Sequence, residues 1–183
     1  FPYLSKPRKM NHLPTFSINN VILILALLFV GCRVQPSVVL PVPLTPEIKE
    51  SKIYNLTVGG EKIYVGHEVS NDSAFEIASL MIQGKVNVKV QVDEEIESFS
   101  VHPLSKNIAA KKAGNTLEFT INEPLKLMVK INQNTPLLLF ATPIEEIVPD
   151  TTNANVLYFP PGVHRVGRLR VESNQTIYIA GGA

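Results

Sequence analysis

The stretch KVNVKVQV at residues 85–92 alternates without a break: Val86, Val88, Val90 and Val92 fall on one side, and Lys85, Asn87, Lys89 and Gln91 on the other. Apolar positions on an amphipathic helix recur every three to four residues, so this segment is a strand with one face in a core and one in water. Half-buried strands of this kind belong to antiparallel sheets. TLEFTI repeats the pattern with Leu117, Phe119 and Ile121, and LKLMVKIN with Leu125, Leu127, Val129 and Ile131. IYNLTV, EKIYV and FEIASLMI are further strand candidates. LLLFA at 137–141 is a continuous apolar run, predicted as a strand buried on both sides.

Turn signals separate these pieces: VGGE at 58–61, SNDS at 70–73, AGNT at 113–116 and NQNTP at 132–136. Short strands at intervals of roughly 8–12 residues, joined by polar turns, predict a β-sandwich over residues 52–143. No long amphipathic helix competes with that reading. NIAAKKAG at 107–114 fits one helical turn or a loop equally well. The composition is that of an ordinary globular protein, with 45% apolar and 18% charged residues. Seventeen Lys and Arg against sixteen Asp and Glu give a net charge of +1 and no basic stripe, so nucleic acid is not an expected partner. The absence of Trp counts against an aromatic sugar-binding platform.

The N-terminal segment differs. Residues 21–30 are ten consecutive apolar residues, too few for a membrane span of about 20 and within the roughly 7–15 of a secretory signal core. Lys6, Arg8 and Lys9 lie upstream. The run closes on Gly31 and Cys32, the single cysteine, which leaves no intrachain disulfide to form. LFVGC resembles a bacterial lipobox. That resemblance implies cleavage and acylation at Cys32, hence an exported lipoprotein held to a membrane by its acyl chains. Residues 1–32 are then a leader. Residues 33–51, with four prolines between Pro36 and Pro46, are expected to form a stiff spacer. The expected location is the bacterial cell surface or periplasm, or the medium if Cys32 is not lipidated.

Chemistry-bearing residues in the sandwich are sparse. His67 and His102 lack metal-ligand spacing and are expected to be structural. Asp93, Glu94, Glu95 and Glu97 read as a solvated loop without a calcium-loop pattern. Glu145, Glu146 and Asp150 in PIEEIVPD read as part of a linker at 144–154. No phosphate loop, nucleophile elbow or Ser/His/Asp arrangement is visible, and no metal or other cofactor is expected. The sequons at Asn55, Asn71 and Asn174 carry little weight in a bacterial lipoprotein.

Residues 155–183 hold three strand-like pieces, VLYF, RLRV and TIYI, separated by PPGVHRVG and ESNQ. Three strands within about twenty residues is the size of one coil of a parallel β-helix. Leu169, Val171, Ile177 and Ile179 are expected to face inward, and Arg168, Arg170 and Tyr178 outward. LYFPPGVHRVGRLRVESNQTIYIAGGA resembles the opening coil of right-handed parallel β-helix glycoside hydrolases. A β-sandwich before such a coil is similar to the dextranase and isopullulanase family, and polygalacturonase-like enzymes share the helix.

The resemblance implies an all-β fold: an N-terminal antiparallel β-sandwich followed by the first coil of a right-handed parallel β-helix. It implies export and hydrolysis of polysaccharide, with the polysaccharide as partner of the full-length protein. The catalytic aspartates of that family sit on later coils, so none is assigned here and they are expected beyond Ala183. Arg165, Arg168, Arg170 and Glu172 are expected to be solvated, and His164 to pack or cap the coil. One coil cannot bury its own apolar face, so the chain is expected to be the N-terminal part of a longer protein or a truncated product, inactive by itself. A surface lipoprotein whose sandwich binds glycan, and a fragment of a polysaccharide lyase, are the alternatives.

Overall fold

The alternation at 85–92 becomes a central strand, and the rest of the fold is built outward from it. The computed structural model describes residues 36–183, apart from Pro46, Asn71 and Asp72. Strands are numbered here in chain order. β3 (Asn55–Val58), β4 (Glu61–Ile63), β7 (Val86–Gln91), β9 (Lys111–Ala113) and β10 (Thr116–Ile121) form a five-stranded sheet in the order β4-β3-β7-β10-β9. β7 lies between two antiparallel partners, with Val88 opposite Val58 and Phe119, and Val90 opposite Leu56 and Leu117. All six of these side chains are buried. Each contributes on the order of 1.5–3 kcal/mol by leaving water.

The second sheet has seven strands. β2 (Lys49–Glu50), β5 (Gly66–Ser70), β6 (Ser73–Gln83), β12 (Leu137–Pro143), β11 (Lys126–Ile131) and β8 (Phe99–His102) lie side by side in that order. β1 (Val38–Pro41) pairs with the far end of β6. Its inner face carries Ala78, Leu80 and Ile82 of β6, Leu137, Leu139 and Ala141 of β12, and Leu127, Val129 and Ile131 of β11. These join the inner residues of the five-stranded sheet in one core. Two packed sheets with a shared core make the β-sandwich.

The turns follow the residues that signalled them. Gly59 and Gly60 both take positive φ (59° and 94°), as the two-residue turn between β3 and β4 requires. Gly114, at φ 59°, opens the turn from β9 to β10. The helical alternative for 107–114 is not taken. A short 3-10 turn forms at Leu104–Lys106, and 111–113 are strand β9.

Four expectations are corrected. Residues 33–51 are not simply a spacer: Val38–Pro41 and Lys49–Glu50 are strands of the seven-stranded sheet. The prolines permit this because β1 runs along an edge, and its Pro41 closes the strand where a missing N–H costs little. LLLFA is buried on one side only. Leu137, Leu139 and Ala141 are in the core, while Leu138 and Phe140 are half-buried on the outer face. There Ile77 and Met128 flank Leu138, and Ser79 and Lys126 flank Phe140, so neighbouring strands shield what no second layer covers. The sandwich is also not purely antiparallel, because β12 pairs with β6 in parallel.

The fourth correction concerns the coil. β13 (Val156–Phe159) and β14 (Thr176–Ile179) form a parallel ladder in which Val156 pairs with Thr176 and each later pair keeps the same offset of twenty residues. The offset continues past the strands: Thr176 N–H donates to Asn155 O, Ala180 N–H to Phe159 O and Gly162 N–H to Gly182 O. VLYF and TIYI are therefore the same position on two successive turns, not two sides of one turn. RLRV, the third strand-like piece, is irregular backbone. A strand in a β-helix is made by the turns stacked on it, and RLRV has no such neighbour among the described residues.

The coil also touches the sandwich. A Cβ added to Gly182 would collide with the carbonyl oxygen of Pro43, and one added to Gly181 would press on the Val42 side chain. Val42 N–H itself donates to Ser79 O of β6. The segment after β1 thus runs between the sandwich and the paired glycines.

Candidate functional site

Two places hold side chains that can do chemistry: a cleft at the β2 edge of the sandwich, and the coil. The cleft begins with one register. Lys49 of β2 lies opposite His67 of β5, and His67 opposite Glu76 of β6. The row continues through Leu137, Val129 and Val101 on β12, β11 and β8. Directly opposed residues share a face, so one row crosses from polar at the edge to apolar in the core. Glu76 sits at that boundary and is 1% exposed.

Its Oε1 lies 2.7 Å from His67 Nδ1, and its buried Oε2 has no hydrogen-bond partner among the described residues. His67 keeps 40% of its side chain exposed. Lys49, Glu50, Lys52 and Ile53 complete the lining of a cleft of about 330 Å³. Glu50 is engaged at its rim by Lys62 at 3.6 Å. Tyr54, 4% exposed, donates its hydroxyl to Thr135 O at 2.8 Å. Burial pushes its phenol from 10.0 up to about 12, with the charges of Glu76 and Glu94 adding to the effect.

Of the residues singled out from sequence, His67 is held by a buried carboxylate, and His102 Nε2 lies 3.0 Å from Ser100 Oγ. The acidic segment is a loop braced by asparagines. Asn132, at φ 51°, accepts the N–H groups of Glu97 and Ser98 and donates to Glu94 Oε1 and Glu95 O. Asn134 donates to the same Glu94 oxygen. Among the described residues no three His, Cys, Asp or Glu side chains are grouped to hold a metal ion. Cys32 and the apolar run before it lie outside the described residues, as does Asn71. No helix among the described residues is long and apolar enough to cross a membrane.

Glu76 was not singled out from sequence. The signal was present in FEIASLMI, where the alternation that sends Ala78, Leu80 and Ile82 inward also sends Glu76 inward. A carboxylate at a core position of a strand pattern is the informative exception.

In the coil, Tyr158 and Tyr178 stack at 5.6 Å with their rings 13° apart, one above the other at the twenty-residue offset. Tyr178 donates its hydroxyl to Glu145 Oε2 at 2.8 Å, which ties 144–154 to the coil and holds the phenol above its ordinary range. Asp150 accepts both the N–H and the hydroxyl of Thr152, and these bonds lower its carboxyl below the usual range. His164 packs edge-on against Phe159 and bonds Pro160 O, so it closes the turn. Arg165, Arg168, Arg170 and Glu172 are exposed, and Arg170 pairs with Glu172 at 3.2 Å.

The residues expected to face inward are not covered. Leu169, Val171 and Ile177 are exposed, and Ile179 is 63% exposed. With Phe159, His164 and Val166, three of them line an apolar concavity of about 280 Å³. A single turn has an inner surface but nothing stacked on it to close that surface.

A β-sandwich followed by the first coil of a parallel β-helix, joined by a short connection, is a defined all-β class. Among solved structures the chain is similar to Dex49A from Penicillium minioluteum, with a TM-score of 0.57 and 13% sequence identity. The similarity covers 78% of this chain, which spans 43% of the Dex49A chain. At that identity the likeness is one of fold. No family model matches the sequence, and no curated protein matches it.

Proposed function

We propose that this chain is the N-terminal part of an exported glycoside hydrolase that cleaves O-glycosidic bonds in a polysaccharide. The observation that carries the proposal is the order of its two parts. The likeness to Dex49A, a dextranase, covers 78% of this chain and supports that order at the level of fold. The exposed apolar lining of the coil supports the same view, because Ile177 and Ile179 form a surface suited to a further turn. Hydrolysis needs a pair of carboxylates flanking the scissile bond, one as acid and one as base or nucleophile. Glu94, Glu95 and Glu97 line a cleft of about 400 Å³ in the sandwich, but Glu94 is tied down by Asn132 and Asn134, and the proposal places the catalytic carboxylates on further coils. Cys32, acylated, would hold the protein to the membrane surface.

The test is an assay of the longest polypeptide that the gene encodes, expressed with its leader, against dextran, pullulan and polygalacturonate. Release of reducing ends from one of them by that polypeptide, and none by residues 1–183, is the expected result. Cleavage by unsaturated-product formation would assign a lyase instead, and a polypeptide without further coils would end the proposal. Incorporation of labelled palmitate, lost on Cys32→Ser, is expected for the anchor.

A further inference from the structure

Glu76 makes little sense as a purely structural residue. Its position in the inward alternation would be filled at lower cost by Val or Leu. A buried carboxylate forfeits its hydration, and a replaced buried ion pair is often neutral or stabilising. Here one of its two oxygens is satisfied, and the other is buried without a donor among the described residues. Glu76 and the 40% exposed His67 both line the cleft, and its volume of about 330 Å³ is at the small end of ligand sites, which run ~300–1,000 Å³. That is room for a sugar-sized unit and not for an extended chain.

The chemistry of the lining selects the occupant. A metal ion would find two donors, Glu76 and His67, where a stable site needs three or four. A cationic ligand would meet Lys49 and Lys52, and an anion would meet the carboxylates of Glu50 and Glu76. What fits is an uncharged group that donates a hydrogen bond inward and accepts others at the rim. Hydroxyls do both. Ile53 adds an apolar patch on which the C–H face of a ring can rest.

We propose that this cleft is a binding site for a neutral polyol, a single sugar unit, one hydroxyl of which donates to the Glu76 carboxylate as the lining side chains shift to admit it, while others accept from His67 and the rim lysines. The proposal stands on the geometry of the sandwich and does not rest on the reading of the coil.

It is tested on the full 183-residue chain, labelled with ¹⁵N and titrated with methyl α-glucopyranoside, methyl β-galactopyranoside and isomaltotriose. Methylammonium and zinc chloride serve as ionic probes. Saturable shifts at the amides of Ile53, His67 and Glu76 are expected with at least one sugar, in the millimolar range, and neither ionic probe should reproduce them. Glu76→Gln, which keeps the shape but reverses the hydrogen-bond demand at one position, is expected to weaken binding at least tenfold. If that variant does not fold, intermolecular Overhauser contacts between the sugar ring and the Ile53 methyls of the unaltered chain take its place. No saturable shift with any of the three sugars overturns the proposal. So does saturation of the same amides by zinc or methylammonium alone, or sugar binding that Glu76→Gln leaves unchanged.

Discussion

Tyr54 shows how one buried side chain carries a pH dependence into the whole fold. Its hydroxyl donates to Thr135 O inside the core, and its ionised form would sit in a poorly hydrated site near the charges of Glu76 and Glu94. A phenol that titrates at about 12 when folded and at 10.0 when unfolded favours the folded state while it is neutral. That stabilisation is complete below pH 10 and is lost as pH rises through the folded value. Two units correspond to at most about 3 kcal/mol. Denaturant unfolding between pH 9 and pH 12 is expected to show a fall of this order. In Tyr54→Phe the fall should be smaller, from a starting stability lower by about 1 kcal/mol for the lost hydrogen bond. An identical fall in both proteins would assign the alkaline loss to other groups. His67 and Glu76 teach a related lesson. The histidine was visible in sequence as a lone residue without ligand spacing, but its partner is nine residues away on the next strand, and only the register brings them together.

Among the elements, β12 best separates what alternation can and cannot reveal. Its five apolar residues in a row hide the period, so sequence alone predicts burial on both sides. The strand instead lies at the centre of a sheet whose outer face is shielded only by neighbours. Leu139→Ala is expected to cost about 2–5 kcal/mol, and Leu138→Ala distinctly less, in chemical unfolding. Equal costs would mean that a further layer covers the outer face. The strands with clean alternation, β7, β10 and β11, could be read directly, because each has one face in the core and, Met128 of β11 apart, polar residues on the other. β1 could not, since its prolines suggest a spacer and its sheet contacts are formed with β6, some forty residues later. The coil's turn is the second test at this scale. Gly182 has φ 86° and lies against Pro43 O, so a side chain there meets both backbone strain and a collision. Gly182→Ala is expected to loosen the coil from the sandwich. Faster hydrogen exchange at Ile177 and Ile179, with core amides such as Val88 unchanged, is the expected outcome. Unchanged exchange at both would show that the contact does not hold the coil.

For the molecule as a whole, the sequence held more than its alternation. NVLYFPPGV and QTIYIAGGA are the same segment twenty residues apart. Tyr158 stacks on Tyr178, and Gly162 and Gly182 both adopt positive φ. Strand-by-strand reading treats VLYF, RLRV and TIYI as three sides of one turn, because each looks like a strand in isolation. Only a search for self-similarity at a fixed offset shows that the first and last are stacked. The all-β class and the order of sandwich then coil were legible from period and turn chemistry. The polar cleft was not, because it depends on which strands become neighbours. The central claim is that residues 156–183 begin a parallel β-helix. A crystal structure of the longest polypeptide that the gene encodes tests it most directly. The account predicts a strand paired in parallel with Thr176–Ile179 at an offset close to twenty residues, with Ile177 and Ile179 buried beneath the next turn. Those isoleucines left open to solvent, or covered by the sandwich or by a second copy of the chain, would contradict it.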